Sequence, residues 1–324
     1  MPNFTLQILI LFICIGVFAI ACALWMGAPK TPPVLQSIDR AFGQADYRGA
    51  KDINVFESSA GQLAYRHYAP EQNDNIKGSV ILIHGSSATS ISMHNVAKHL
   101  AYAGFSTYAL DIRGHGNSGR KGHIDKIGRL ESDIIDFLDH IRPSHPRTLA
   151  GFSAGGGFTL RFAVSADADL FDSYLLLSPF IHQDAPTQRQ SADWAGVGVP
   201  RLLALNILNA IGVTWFNFLP VIRYGINPYT SDLLTGSYDY NLATNFRLPD
   251  DYKAAIKSAS KPFIVLAGAN DELFHADKYD TVFASAPGLV DIDILPDIDH
   301  AGMVLTPPAL SRIVNAVQRL QSID

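Results

Sequence analysis

The chain has 324 residues, 48% hydrophobic and only 17% charged, a balance that supports a large buried core and excludes a disordered chain or a coiled coil. With 25 Lys and Arg against 30 Asp and Glu the net charge is -5, and no Lys/Arg run supplies the basic footprint of a nucleic-acid binder, so no nucleic-acid partner is expected. The two cysteines, Cys14 and Cys22, both lie in the N-terminal apolar stretch, which leaves the rest of the chain neither an internal disulfide nor a thiolate metal site.

From Phe4 to Gly27 no residue carries a charge, and this run exceeds the roughly 18 to 20 apolar residues that cross a bilayer. Residues 1–29 therefore read as a transmembrane anchor. A cleaved signal peptide competes, but its apolar core should span only about 7 to 15 residues behind a basic segment, and Met1 to Thr5 holds no Lys or Arg. Ala19-Ile20-Ala21-Cys22 loosely resembles a lipoprotein cleavage box and meets the same objection. Lys30 and Arg40 follow the span, which favours the cytoplasmic face for the remainder. Thr31-Pro32-Pro33 cannot continue a helix, so residues 30–50 are expected to be a linker.

Residues 51–324 form the main domain. Asp52 to Ser58 and Gln62 to Tyr68 read as a hairpin around Ser59-Ala60-Gly61. Ser79 to Ile83 is a continuous apolar run of the buried parallel type, followed by a helix from about Ser92 to Tyr102. The alternation repeats with a strand at Thr107 to Leu110, a helix at Asp125 to Ile141, a strand at Thr148 to Ala150 and a helix at Gly155 to Val164. Tyr174 to Leu177, Pro262 to Ala267 and Val290 to Leu295 complete the strands. This is the signature of βαβ units: an α/β fold with a mostly parallel sheet of about eight strands and helices on both faces. The alternation stops between about 182 and 260, too long for a βα connection, and the stretch is expected to be an inserted helical cap. Within it, Trp194 to Ile222 carries a single charge, Arg201. Its apolar residues, at largely helical spacing, are expected to pack the cap down, to line an acyl pocket or to touch a bilayer.

Gly151-Phe152-Ser153-Ala154-Gly155 fits G-x-S-x-G between a strand and a helix, where the turn is so tight that only small residues fit two before and two after the serine. A serine hydroxyl needs a base, normally a histidine held by a carboxylate. Asp271 stands just beyond the strand Pro262 to Ala267, and His300 stands beyond the last strand. Strand ends on one edge of a parallel sheet share a crevice, so Ser153, Asp271 and His300 can converge. Asp297, Asp299 and Glu272 are rival acids. Acyl transfer also needs preplaced N-H donors for the oxyanion. Ala154 offers one, and Ser86, in the His84-Gly85-Ser86-Ser87 loop, the other. His94, His99, His140 and His145 read as surface residues. No H-E-x-x-H or comparable ligand spacing appears, so no metal and no cofactor is expected.

These residues resemble the α/β-hydrolase superfamily, and within it the monoacylglycerol lipase and lysophospholipase group, often labelled serine aminopeptidase S33-like. The resemblance runs from about Ile53 to Leu320. It rests on His84 to Ser87, the Ser153 turn, the Asp271 and His300 loops, and Asp111-Ile112-Arg113-Gly114-His115-Gly116-Asn117-Ser118. The last is similar to the family's D-x-R-G-H-G-x-S turn, which shapes the crevice. Monoacylglycerol lipases typically continue the first motif as H-G-x-x-E-H, whereas Ser87-Ala88-Thr89 stands here. The resemblance implies Ser153 as nucleophile, His300 as base, Asp271 as its orienter and Ser86 with Ala154 as oxyanion hole. The expected function is a membrane-anchored serine hydrolase of carboxylic esters, with small-molecule or lipid esters as substrates. Thioester or amide hydrolysis on the same residues, and a non-catalytic ligand-binding protein, are the alternatives.

Overall fold

The structure, a computed structural model, describes residues 2–71, 76–189, 194–227, 229 and 233–323. Helix α1 (Pro2–Met26) opens the chain and is, among the described residues, the one helix long and apolar enough to cross a membrane. Within the stretch expected to be a linker a second helix forms, α2 (Gln36–Gly43).

Strands β1 (Ile53–Ser58) and β2 (Gly61–Tyr68) pair antiparallel as the expected hairpin. The alternating part follows: β3 (Ser79–Ile83), α3 (His94–Tyr102), β4 (Ser106–Asp111), α4 (Arg129–Ile141), β5 (Arg147–Phe152), α5 (Ala154–Ala163) and β6 (Ser173–Leu177). The insertion holds β7 (Ala195–Val197), α6 (Val199–Ala210), β8 (Pro220–Tyr224), β9 (Ser237–Asp239), α7 (Tyr240–Asn245) and α8 (Tyr252–Lys257). The chain then returns through β10 (Phe263–Gly268), α9 (Tyr279–Phe283), β11 (Leu289–Leu295), α10 (Gly302–Leu305) and α11 (Pro307–Leu320).

Eight strands make one sheet in the order β1-β2-β4-β3-β5-β6-β10-β11. Only β1 and β2 run antiparallel to their neighbours; β3 to β6, β10 and β11 pair parallel. The period of two along each strand sorts the core onto two faces. Ile81, Ile83, Leu149 and Val265 pack with Ile134 and Phe137 of α4 and Phe158 of α5. Val80, Leu82, Leu175 and Leu266 pack with Val96 and Leu100 of α3 and Ile313 and Val317 of α11. With both faces covered, each buried Leu or Ile contributes roughly 1.5–3 kcal/mol, and the loops at the strands' carboxyl ends inherit a rigid base.

Three expectations need adjustment. Helix α4 begins at Arg129, not Asp125, because Gly128 has a positive φ of 91° and Asn245 Oδ1 accepts the N-H groups of Gly128 and Leu130. His94 is fully buried, its ring nitrogen Nδ1 sharing a 2.9 Å hydrogen bond with the Tyr68 hydroxyl. The cap is not helical throughout: β7, β8 and β9 form their own antiparallel sheet, and the apolar stretch is helical only over α6.

Candidate active site

Ser153 sits between β5 and α5 at φ 56°, ψ -120°, a conformation that costs a non-glycine residue of order 1–3 kcal/mol and holds its side chain clear of the turn. The flanking glycines make this possible. A Cβ on Gly151 would collide with the Gly155 carbonyl and the Thr159 hydroxyl, and one on Gly155 would strike the His84 and Ile83 carbonyls. Helix α5 begins at the next residue, so the Ala154 N-H belongs to the unpaired first turn.

Asp271 lies in the loop after β10, and its carboxylate engages three partners. Oδ1 accepts the N-H groups of Leu273 and Phe274, each at 2.9 Å, and Oδ2 meets His300 Nδ1 at 2.8 Å. Both side chains are buried, at 0% and 3% exposure, so the pair is shielded from competing water. Burial alone would raise the Asp271 pKa, but the His300 imidazole and the two backbone donors outweigh it and hold the carboxyl below its ordinary value. The His300 ring stands between Phe152, centroid to centroid 4.8 Å, and Phe274, edge-on at 5.3 Å.

The rival acids have other partners. Asp299 Oδ1 accepts the Gly302 N-H at 2.7 Å, and Asp297 occupies a left-handed turn at φ 60°. Glu272 holds backbone instead of ring: Oε2 accepts the His300 N-H at 3.0 Å, and Oε1 accepts the Ser37 hydroxyl of α2 at 2.7 Å.

Ser86 lies in the loop after β3, and this loop is fixed from the cap. The Ser87 N-H donates to the Tyr238 hydroxyl at 2.7 Å and the Ser87 hydroxyl to the Thr235 carbonyl at 2.6 Å. Ser86 itself contacts the hydroxyls of Tyr224 and Tyr238, and burial pushes the Tyr224 phenol up to about 12 and that of Tyr238 well above its ordinary value. His115 Nε2 completes the cluster at 2.6 Å from the Tyr238 oxygen. Desolvation drives the His115 pKa well down, with neighbouring His84 adding to it, and burial lowers that of His84 as well.

The D-x-R-G-H-G-x-S turn braces this arrangement. Asp111 accepts the N-H groups of Ser90 and Asn117, Arg113 makes a buried two-pronged pair with Asp133 at 2.7 and 2.8 Å, and Ser118 accepts the Ala64 N-H.

Ser153, His300 and Ser86 open onto one cavity of about 360 Å³. Its opposite wall is apolar and comes from outside the sheet: Leu35, Ile38 and Phe42 from α2 and its approach, and Trp194, Ile226 and Leu234 from the cap. Among the described residues that line this cavity none belongs to helix α6. The α2 wall had a sequence signal, since Leu35, Ile38 and Phe42 follow helical spacing after Pro32-Pro33. Tyr238 and Arg189, whose Nε reaches the Asp271 and Phe274 carbonyls at 3.1 Å, had none. Among the described residues no group of three or more His, Cys, Asp or Glu could hold a metal ion.

The family model described as serine aminopeptidase, S33, matches residues 74–304, from just before β3 through α10. A monoacylglycerol lipase of Mycolicibacterium smegmatis is 28% identical over 125 residues, 37% of this chain and 44% of the relative. The chain spans less than half the length of the curated relatives it matches. Among solved structures, a soluble variant of the monoglyceride lipase of Saccharomyces cerevisiae in complex with a substrate analog superposes with a TM-score of 0.64. It is 16% identical, and the match covers 86% of this chain and 97% of that one. A membrane phospholipase A described as a bacterial virulence factor superposes with a TM-score of 0.57 at 16% identity over 100% of both chains. At that identity the two structures share the fold.

Proposed function

Because the chain belongs to the serine aminopeptidase S33 family, we propose that it is a membrane-anchored serine hydrolase cleaving carboxylic esters with an apolar acyl chain, its nucleophile Ser153. The observation that carries this reading is the meeting, on one apolar-walled cavity, of a serine in a strained elbow and a histidine held by a buried carboxylate.

Asp271 Oδ2 accepts a hydrogen bond from His300 Nδ1–H, which leaves Nε2 as the acceptor facing the cavity. His300 Nε2 removes the Ser153 Oγ proton as Oγ attacks the ester carbonyl. The oxyanion forms against the N-H groups of Ala154 and Ser86, where fixed donors in a water-poor site need no reorganisation. His300 then gives its proton to the leaving alcohol, and the acyl group stays on Ser153. Water enters, loses a proton to His300 as its oxygen adds to the acyl carbonyl, and His300 returns that proton to Ser153 Oγ as the C–Oγ bond breaks and the acid leaves. Leu35, Ile38, Phe42 and Trp194 would accept the acyl chain, while α1 holds the domain at the membrane on the side of Lys30 and Arg40, the cytoplasmic one by the positive-inside rule.

The test is turnover by the detergent-solubilised full chain and its Ser153→Ala variant on esters from acetyl to palmitoyl, with matched thioesters and aminoacyl amides. Preference for long acyl esters, lost by about 10⁴-fold or more in the variant, is expected. Unchanged turnover in Ser153→Ala would sink the assignment. Preference for the amides or thioesters would move the substrate class while keeping the residues.

A further inference from the structure

In an ordinary soluble cap the polar side chains face water and the apolar ones face inward. Between Val197 and Phe218 the order is reversed. Leu203, Ile207, Ile211, Trp215, Phe216 and Phe218 are all exposed, from 39% at Phe216 to 81% at Trp215. Thr214 alone among the exposed residues of this stretch bears a polar side chain.

The polar residues are turned inward and paired. Asn209 and Asn217 exchange amide hydrogen bonds at 2.7 and 3.0 Å, Asn217 also donates to Asn241 Oδ1, and Asn206 accepts the Tyr240 hydroxyl. The single charge of the stretch, Arg201, is buried. Its guanidinium donates to the carbonyls of Leu24 and Trp25, in the last turn of α1, and to that of Pro220.

Arg201 thereby ties this face to the membrane-crossing helix. It satisfies carbonyls that the end of α1 leaves unpaired, and the glycines beside it bring the backbones together. A Cβ on Gly27 would sit 2.6 Å from the Arg201 nitrogen, and one on Gly198 would meet the Gly27 carbonyl at 2.5 Å. Helices α1 and α6 are in contact, and the half-buried residues of α1 are Ile20, Cys22, Ala23 and Leu24. Ile20 lies roughly 9 Å along the axis from Met26, about the depth to which interfacial helices sink. The far end of α1 has no such neighbour: Phe4 to Val17 is exposed throughout.

We propose that this face of the cap, α6 and the turn after it, lies in the interfacial layer of the bilayer that α1 crosses. It rests on the anchor reading of α1 above. A surface without exposed charge, continuous with a spanning helix and locked to its last turn, fits lipid, and the buried Arg201 clamp fixes the angle at which the cap meets it. The cavity wall built by α2, nine residues beyond Gly27 in the chain, is then held next to the membrane surface.

The test uses the full chain in phosphatidylcholine vesicles with and without lipids carrying a spin-label quencher, either near the headgroup or midway along the acyl chain. Three single-cysteine proteins carry an environment-sensitive dye. One keeps native Cys14 with Cys22→Ser. The other two carry Cys14→Ser and Cys22→Ser together with either Ile211→Cys or Ser322→Cys. Ser322 is exposed after α11, beside Gln321, which contacts Pro146 and Ser79 at the strands' amino ends. Quenching by about half or more is expected at position 14 with the mid-chain label and at position 211 with the headgroup label, with little at 322 from either. Quenching at 14 with none at 211 overturns this proposal and leaves the anchor standing. A dye at 211 that is dry yet unquenched also overturns it, since protein then covers the face. No quenching at 14 overturns both. Hydrolysis of a soluble acetyl ester, read on each labelled protein, reports the hydrolase reading separately.

Discussion

At the carboxyl edge of the sheet, Ser153, Asp271 and His300 stand on short turns pinned by the strands beneath them. Across the cavity, the wall of Leu35, Ile38, Phe42 and Trp194 stands on a two-turn helix and a cap fastened by side chains. The first region is held by backbone: carbonyls packed against Gly151 and Gly155, and N-H groups donated to Asp271. The second is held mainly by side chains, through the packing of Leu35, Trp194 and Ile226 on the core and hydrogen bonds such as Ser37 to Glu272 and Asn227 to Asp39. On the proposed reading the edge keeps the reacting atoms in place, and the wall can vary in shape without disturbing them. Substitutions should separate the two, the edge showing in rate and the wall in selectivity.

The largest effect is expected at the edge. Asp271→Asn keeps the shape but loses the acceptor that fixes the His300 tautomer, and kcat should fall by roughly 10³ to 10⁴-fold, measured on a short soluble ester. A loss of only a few-fold would transfer the orienting role to another acid. Because the folded carboxyl titrates below its ordinary 3.8, its ionisation stabilises the native state above that value. That contribution is lost as pH falls through the depressed folded value. Urea midpoints of wild type and variant should therefore converge in acid.

A carboxylate in the cap should behave oppositely. Asp239 caps α7 through the Leu242 N-H and meets His123 Nδ1 at 2.5 Å, yet burial dominates and pushes its pKa up to about 6. A raised acid favours the protonated native state, so stability from this group falls as pH rises from about 3.8 through about 6. Asp239→Asn should flatten the pH dependence of stability between those limits. Denaturation of both proteins across the range reads it directly, and an unchanged slope would assign the pH dependence elsewhere.

This contrast in construction also decides what could be read from sequence. The elbow glycines, the apolar strands and the positions of Asp271 and His300 at strand ends are local patterns, because their physics is local. The hold of Tyr238 on Ser87, 151 residues apart, or of Arg189 on the Asp271 loop leaves no periodic trace. Helix α2 is intermediate. Its spacing is present, but eight residues that follow two prolines resemble a spacer until a partner surface is known. Burial of His94 depended likewise on Tyr68, brought in by a different strand.

At the wall, Phe42→Ala should lower kcat/KM for palmitoyl esters by about 10-fold and leave acetyl esters unaffected, since removing apolar contact costs only the substrate that reaches it. A chain-length series on wild type and variant checks this. Equal losses on both esters would mean that Phe42 supports the edge and not the acyl chain.

The smallest effect probes the hydrogen-bonded bridge from α2 to the edge, Ser37 to Glu272 to the His300 N-H. Ser37→Ala removes an exposed hydrogen bond worth about 0.5–1.5 kcal/mol, and Glu272 keeps its hold on His300. If α2 only lines the cavity, kcat for a short ester stays unchanged. If α2 helps to set the His300 loop, kcat falls by roughly two- to fivefold while KM holds, because the acetyl substrate never touches the wall. Glu272→Ala should then reproduce and exceed that loss. A fall in kcat from Ser37→Ala alone, with Glu272→Ala silent, would rule out the bridge, since every step of the coupling passes through that carboxylate.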